Sequence, residues 1–454
     1  MTPLSSPAAL VLASLFLCPP ALSQVQVQRE PSLRYPFELL DVGVLNPSGT
    51  SRNGGLNNRG EVTGTGTAPN GLSEHAFLFS GGTLTDLGTL GGQYSWGNAL
   101  NDSGVIVGYS AAGPVDLHAY RWNAGVMSNE HVGNEGFSRA NDITPQGAVV
   151  GVLNGFFDPG IQTTFRGYFA YGATFEIIPT FGGTESQAMG ANARGQVTGL
   201  ARTLEGKLRA FLWDYSGAMT DLGDLGDGMA YGSGINLHGH VVGYSRVPSG
   251  DLHAFLHDGT SMIDLGTLGG AASRANNLND FGLIVGAADD AVGQQRAFLW
   301  SDGHMHDLND LIEPNSAWLL TAAGNVNALG EISATGKYNG QQRACLLRPR
   351  DQAPRSSGLA PPLAGDSTTV FVTGFDPGDL VELYSGLARG SSTANGCPLE
   401  LAAPQLEATA VIGPDGRAEL TVSVPSAAAG LTVYTQVLAP STCRSTAPVV
   451  QLVY

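Results

Sequence analysis

A block of five residues recurs through the first three quarters of this chain and sets what the chain can become. It reads His75-Ala76-Phe77-Leu78-Phe79, His118-Ala119-Tyr120-Arg121-Trp122, Arg209-Ala210-Phe211-Leu212-Trp213 and His253-Ala254-Phe255-Leu256-His257. It returns as Arg296-Ala297-Phe298-Leu299-Trp300 and Arg343-Ala344-Cys345-Leu346-Leu347, with a degenerate copy at Arg166-Gly167-Tyr168-Phe169. Successive copies begin 43, 48, 43, 44, 43 and 47 residues apart. That period suits the blade of a β-propeller and is too long for a leucine-rich repeat. Two-helix repeats of similar length need a helical periodicity, which is absent.

Each repeat divides into four strand-like pieces. In one copy Ser95 to Asn101 is followed by Val105 to Tyr109; His75 to Phe79 and Thr83 to Leu90 represent the third and fourth types. All are rich in β-branched or aromatic residues and bounded by Gly, Asn and Asp. The first two pieces are joined by a turn such as Asn101-Asp102-Ser103-Gly104, which recurs as Asn57-Asn58-Arg59-Gly60, Asn192-Ala193-Arg194-Gly195, Asn236-Leu237-His238-Gly239, Asn279-Asp280-Phe281-Gly282 and Asn327-Ala328-Leu329-Gly330. Asn first and Gly fourth fit a type I turn closed by a left-handed glycine. These turns lack the alternating carboxylates and distal Glu of a calcium loop.

Counting the pieces predicts how the array ends. The turn-linked pair occurs seven times, ending at Gly64, Gly108, Gly151, Gly199, Gly243, Gly286 and Gly336, and the His/Arg strand also occurs seven times. The Asp-Leu-Gly strand follows only six of them. Its missing copy stands at the N-terminus, where Phe37 to Leu45 matches Thr83 to Leu90. A chain that begins with the strand it lacks at its end can close a ring and leave no edge at the seam. An open solenoid has no use for that offset. The expected fold is therefore all-β: a seven-bladed β-propeller over residues 35–349, closed by an N-terminal outer strand. The blocks HAFLFSGGTLTDLGTLGG and ALNDSGVIVGYS resemble the HAF extracellular repeat family of bacterial secreted proteins, over about residues 37–349. Asn129 and Ile177 depart from that pattern, standing where the Asp of Asp-Leu-Gly belongs. The resemblance implies export and repeat architecture and brings no assigned activity.

Residues 350–366, rich in Pro, Ser, Gly and Ala, read as a linker. Beyond them, over residues 367–454, Thr368 to Phe375, Leu380 to Ser385, Leu406 to Ile412, Ala418 to Val424 and Leu431 to Leu438 alternate like half-buried strands, with Pro414-Asp415-Gly416 as a hairpin turn. A small β-sandwich is expected. Residues 1–23 read as a signal peptide: Ala8 to Leu17 is apolar but too short to span a bilayer, and Ala21 and Ser23 fit cleavage before Gln24. The leading Met1 to Pro7 carries no Lys or Arg. In an exported chain Cys397 and Cys443 should pair, whereas Cys345 takes a Phe position of the repeat and reads as a buried core thiol. The expected location is extracellular or the cell surface, with the periplasm as alternative.

The net charge of −17 repels phosphate backbones, so nucleic acid and anionic membranes are poor partners. No later stretch is apolar for long enough to cross a membrane, and a monomer is expected. In a propeller the first strand of each blade lines the axis, and the long loops entering it share one face, opposite the uniform Asn turns. Next to a Ser (or its substitute) at the start of the inner strand stand Arg52, Trp96, Arg139, Gln187, Tyr231 and Arg274. Neighbouring positions repeat while this one changes and favours aromatics and Arg, as a ligand-contacting ring at the channel mouth would. The alternative is that these side chains plug the mouth and pair with local carboxylates. The recurring His75, His118, Arg166, Arg209, His253, Arg296 and Arg343 are expected to hydrogen-bond within the blade. Neither His304/His306 nor His238/His240 has a third ligand at matching spacing, so no metal or other cofactor is expected. Nucleophile and phosphate-loop motifs are missing; Asp224, Asp227, Asp289 and Asp290 are the carboxylates a channel could bring together. The expected function is non-enzymatic binding or adhesion, with a glycan or surface protein as partner. The alternatives are a carbohydrate-active hydrolase or lyase, and a structural envelope or matrix component.

Overall fold

The computed structural model describes residues 36–114, 116–131, 136–154, 165–350, 355–357, 367–424 and 431–452. The expected signal peptide, most of the expected linker and the loop around residues 155–164 lie outside the described residues. Apart from one short 3-10 turn at Leu308–Leu311, every regular element among those described is a strand. None of the described helices is long and apolar enough to cross a membrane.

The described residues between 37 and 349 form seven four-stranded antiparallel sheets, each following the repeat. The first contains Ser51–Leu56, Val62–Thr67, Glu74–Ser80 and Thr83–Asp86, in that order across the sheet. The seventh runs Trp318–Val326, Ile332–Tyr338, Gln341–Pro349 and then Phe37–Gly43, so the strand the count found missing is supplied from the start of the chain. Phe37 pairs with Pro349 and Asp41 with Cys345. Bonds between the first and seventh sheets close the seam: Asn53 N donates to Thr335 Oγ1 at 3.1 Å, and Ala344 N to Ser51 Oγ at 3.0 Å. The fourth strands stop earlier than the sequence suggested, at Asp86 rather than Leu90. Leu87 N still donates to Ala76 O at 3.0 Å, but Gly88, at φ 71°, turns the chain out of the sheet.

The repeated residues account for the packing. Phe77, Tyr120, Phe211, Phe255 and Phe298 are wholly buried between sheets, each contributing about 2–3 kcal/mol of transfer free energy. The ring edge of each rests on a glycine of the neighbouring strand: a Cβ at Gly64, Gly108, Gly199, Gly243 or Gly286 would overlap both that ring and a carbonyl of the inner strand. Cys345, in the Phe position of the last repeat, is buried and unpaired as expected, and burial pushes its thiol pKa up.

The tail holds two larger sheets over one core. Ser367–Thr373 pairs with Arg417–Ser423, and Leu380–Gly386 lies between Gln405–Val411 and Thr432–Ala439. Val370, Phe375, Val381, Leu383, Leu420 and Val437 pack between them. The turn at Pro414-Asp415-Gly416 forms, with Gly416 N donating to Gly413 O at 3.0 Å. It is not a hairpin, because the strands it joins enter different sheets. The ladder Arg389–Ala394 with Cys397–Leu401 was not anticipated. Cys397 and Cys443 are disulfide-bonded, as the sequence suggested.

Candidate functional site

The first residue of the inner strand is a latch. Ser95 Oγ donates to Gly88 O at 2.6 Å and accepts from Ala76 N at 2.8 Å, joining the second sheet to the first. Ser273 joins the sixth sheet to the fifth in the same way, through Gly266 O and Ala254 N. The residue after the latch has no such duty. Its carbonyl faces the glycine of the second strand, and its side chain is left to vary. Five of the six positions picked out in the sequence are half-buried and Arg274 is exposed.

These six residues gather into two sectors. In the first, Arg52 Nη2 donates to Glu74 Oε1 at 2.7 Å, and Trp96 Nε1 to Glu74 Oε2 at 3.3 Å. Trp96 stacks on Tyr94, ring centroids 5.8 Å apart, and on Tyr109 at 4.5 Å. Tyr109 meets the edge of Phe137, which meets Phe165. Arg139 lies beside Tyr109 and Tyr168; burial lowers its pKa, and its Nε has no hydrogen-bond partner. A guanidinium nevertheless stays charged. No acidic group pairs with Arg139 among the described residues. A cleft of about 390 Å³ opens where Leu72, Glu74, Tyr94 and Trp96 meet.

In the second sector Gln187 Nε2 donates to Glu185 Oε1 at 2.7 Å, and Arg202 pairs with the same carboxylate at 3.0 Å. Tyr231 stacks on Tyr244 at 4.8 Å, and Arg274 lies 5.2 Å over the Tyr244 ring. Desolvation raises the pKa of Tyr109, Tyr231 and Tyr244, so all three remain neutral donors near neutral pH. The six positions thus divide. Arg52, Trp96 and Gln187 are bonded to local carboxylates, while Arg139, Arg274 and the Tyr231–Tyr244 pair keep unused capacity.

The opposite end, where the Asn turns lie, is built differently. Each turn Asn accepts from its own turn: Asn101 Oδ1 takes Ser103 N and Val105 N, both at 3.1 Å. Its Nδ2 crosses to the next sheet. Asn57 donates to Asn101 O, Asn192 to Asn236 O, Asn236 to Asn279 O, Asn279 to Asn327 O, and Asn327 to Asn57 O across the seam. Thr144 interrupts this belt, and there Asp142 Oδ2 accepts from Ala191 N at 2.9 Å. The sequence showed a turn residue; the belt is what it missed, although a fixed Asn in six turns was its trace. A cavity of about 230 Å³ lies within the belt, and Ser357 and Thr369, from beyond residue 350, line it. The tail is fastened there: Arg417 pairs with the buried Glu331 and donates to Asn58 O, and Arg59 pairs with Glu419 at 2.9 Å.

Most of the remaining candidates are occupied; Asp289, at the end of Ile284–Asp290, has no side-chain bond among the described residues. His75 and His253 bond Asp86 and Asp264, both at 2.9 Å, Arg343 bonds Asp41 at 2.7 Å, and His118 bonds Asn129 at 3.0 Å. The recurring cation thus serves its own sheet in these copies, whereas Arg166 donates to Thr184 O of the next sheet at 2.7 Å. Asp224 pairs with Arg209, Asp227 with Arg246 at 3.7 Å and Asp290 with Arg296 at 2.9 Å. Hydrogen bonds from Gln294 N, Arg296 and Val292 N hold the Asp290 pKa below its usual value. His304 and His306 stand 6.4 Å apart and His238 and His240 5.7 Å, with no metal-ligating group of three among the described residues.

No family model matches the sequence, and no curated protein is significantly similar to it. Among solved structures, the chain is similar to a fungal alcohol oxidase of the AA5 family in complex with copper, at 14% identity and a TM-score of 0.38, over 93% of this chain and 100% of that one. It is similar to a gluconolactonase from Xanthomonas campestris at 13% identity and a TM-score of 0.34, over 70% and 91% of the two chains. TolB from Acinetobacter baumannii follows at 12% and 0.30, over 60% and 56%. At TM-scores under 0.5 none of these likenesses bears on what this chain binds or does.

Proposed function

We propose that the chain is an exported binding protein, a seven-bladed β-propeller of the HAF-repeat type with a β-sandwich tail, that takes its ligand at the end carrying Arg52, Trp96, Arg139, Gln187, Tyr231 and Arg274. Seven four-stranded sheets, a seam closed by Phe37–Gly43 and a cyclic belt of Asn bonds support the propeller. Two sheets sharing one core support the sandwich, and the disulfide, which ties the Cys397–Leu401 ladder to the chain after Thr432–Ala439, fits an oxidising compartment.

One observation carries the binding reading. In a chain of net charge −17, two guanidiniums at one end have no acidic partner among the described residues and lie against aromatic rings, while the other end is covered by the tail. Arg139 is the desolvated one of the two, and a buried charge without a partner is costly to keep unless a ligand uses it, whereas Arg274 is exposed and free to reach one. The pairing of Asp224, Asp227 and Asp290 with Arg favours binding over acid–base chemistry, which wants a carboxyl pKa raised toward neutrality. The test is to probe glycan and surface-protein arrays with the mature chain and with a variant carrying Trp96→Ala, Tyr231→Ala and Arg274→Ala together. Binding is expected to fall at least tenfold in the variant with its melting curve retained. Unchanged binding to every partner found overturns the reading.

A further inference from the structure

We infer that the ligand is an oligosaccharide bearing carboxylates, such as a uronate chain, with one pyranose ring in the cleft of Leu72, Glu74, Tyr94 and Trp96 and a carboxylate at Arg139. This rests on the binding reading above and adds the chemical class of the ligand.

The cleft and Arg139 belong to one surface, because the Trp96 ring lines the cleft on one side and stacks on Tyr109, beside Arg139, on the other. Tyr94, stacked on Trp96, is 38% exposed and Leu72 87%, so part of an aromatic ring and an aliphatic side chain are open to solvent. Flat C–H faces of a sugar ring match such surfaces, as apolar contact does generally at aromatic sites. Glu74 adds the polar half. Its two oxygens each take one protein donor, from Arg52 and from Trp96, and an ionised carboxylate has further lone pairs to accept sugar hydroxyls.

Arg139 sets the charge of the ligand. It is the half-buried cation of this sector that has no carboxylate among the described residues, whereas Arg52 has one. A guanidinium with free donor capacity is matched best by a two-oxygen anion. The negative field of the chain does not forbid this, since charges farther off than about 8 Å are largely screened at physiological ionic strength. An acidic peptide would also satisfy Arg139, but it has no ring faces for Tyr94 and no hydroxyl donors for Glu74.

Titration calorimetry of the full mature chain tests this with four probes: oligogalacturonate, the same oligomer with its carboxyls reduced to alcohols, a sulfated oligosaccharide and oligoglutamate. Oligogalacturonate should bind at least tenfold more tightly than its reduced form and than oligoglutamate, and more tightly than the sulfated sugar. Arg139→Gln should lose about tenfold for the uronate and nothing for the reduced oligomer, while Tyr94→Ala should weaken both. Equal binding of the uronate and its reduced form overturns the inference on the unmodified chain alone, whether or not a variant folds. So does tighter binding of oligoglutamate or the sulfated sugar, or full uronate affinity in Arg139→Gln. If no probe binds while the triple variant still loses another partner, the sugar class fails and the binding reading stands.

Discussion

The two ends of the ring use similar side chains for opposite purposes. At the turn end Asn57, Asn101, Asn192, Asn236, Asn279 and Asn327 spend their amides on their own turn and on a neighbouring sheet, and Arg417 spends its charge on Glu331. At the loop end the corresponding freedom is left over: Arg274 lies over the Tyr244 ring, Arg139 has no acidic partner among the described residues, and Tyr94 is partly exposed. Residues that recur in every sheet hold the ring; the ones that change from sheet to sheet are spared that work. Within a repeat protein, variation beside an invariant latch therefore marks the side chains that the fold itself does not use.

Three experiments sharpen or break this contrast. The largest effect is expected from Cys443→Ser, which reopens a loop closed between residues 46 apart in sequence and should cost about 4 kcal/mol on the chain-entropy account. The loss should be confined to the tail, seen by calorimetry as an early transition, with ligand binding at the other end retained below it. A single transition lowered as a whole would show that the ring depends on its cover. Next comes Asn327→Ala. It removes the bonds to Asn57 O and Glu331 Oε2 and leaves Leu329 N and Glu331 N without an acceptor, a loss of about 3 kcal/mol in urea unfolding. Arg139→Gln at the loop end should change stability by no more than about 0.5 kcal/mol. Equal losses would erase the distinction between the ends.

A pH-dependent effect is expected at Asp142, where the Asn belt is interrupted. Burial of its carboxyl raises its pKa to about 6, against two backbone hydrogen bonds that lower it. With the folded pKa above the unfolded one, the stabilisation is complete below about pH 4 and is lost as pH rises through 6, a swing of about 3 kcal/mol. The difference in unfolding free energy between the native chain and Asp142→Asn should therefore slope across pH 4 to 6 and be flat above 7. A flat difference throughout would mean that the carboxyl is solvated.

Much of the ring was legible because its signals are local and repeated. The period, the Asn-x-x-Gly turns and the displaced first strand each follow from residues within one module, and a count of modules gave the closure. The six loop-end positions were found by the same logic, since a changing residue is conspicuous among constant ones. What escaped depends on contacts far apart in sequence. Nothing at Arg417 or Glu331 announces that they meet. Nor does the turn Asn reveal that its second bond goes to the next module. The tail turn at Pro414-Asp415-Gly416 was read as a hairpin because turn chemistry fixes a reversal and not the sheet that the chain enters afterwards.

The pairing of Asp41 with Cys345 also dictates an order of events during synthesis. Phe37–Gly43 leaves the ribosome first, yet its partner strand is made some three hundred residues later. Until then the leading strand has open hydrogen-bonding groups and the ring has two raw rims, both templates for pairing with other chains. Closing so long a loop is slow, because its entropy is spent before any contact repays it. Six of the sheets consist of strands consecutive in sequence and have no need to wait, so the delay falls on the seam alone.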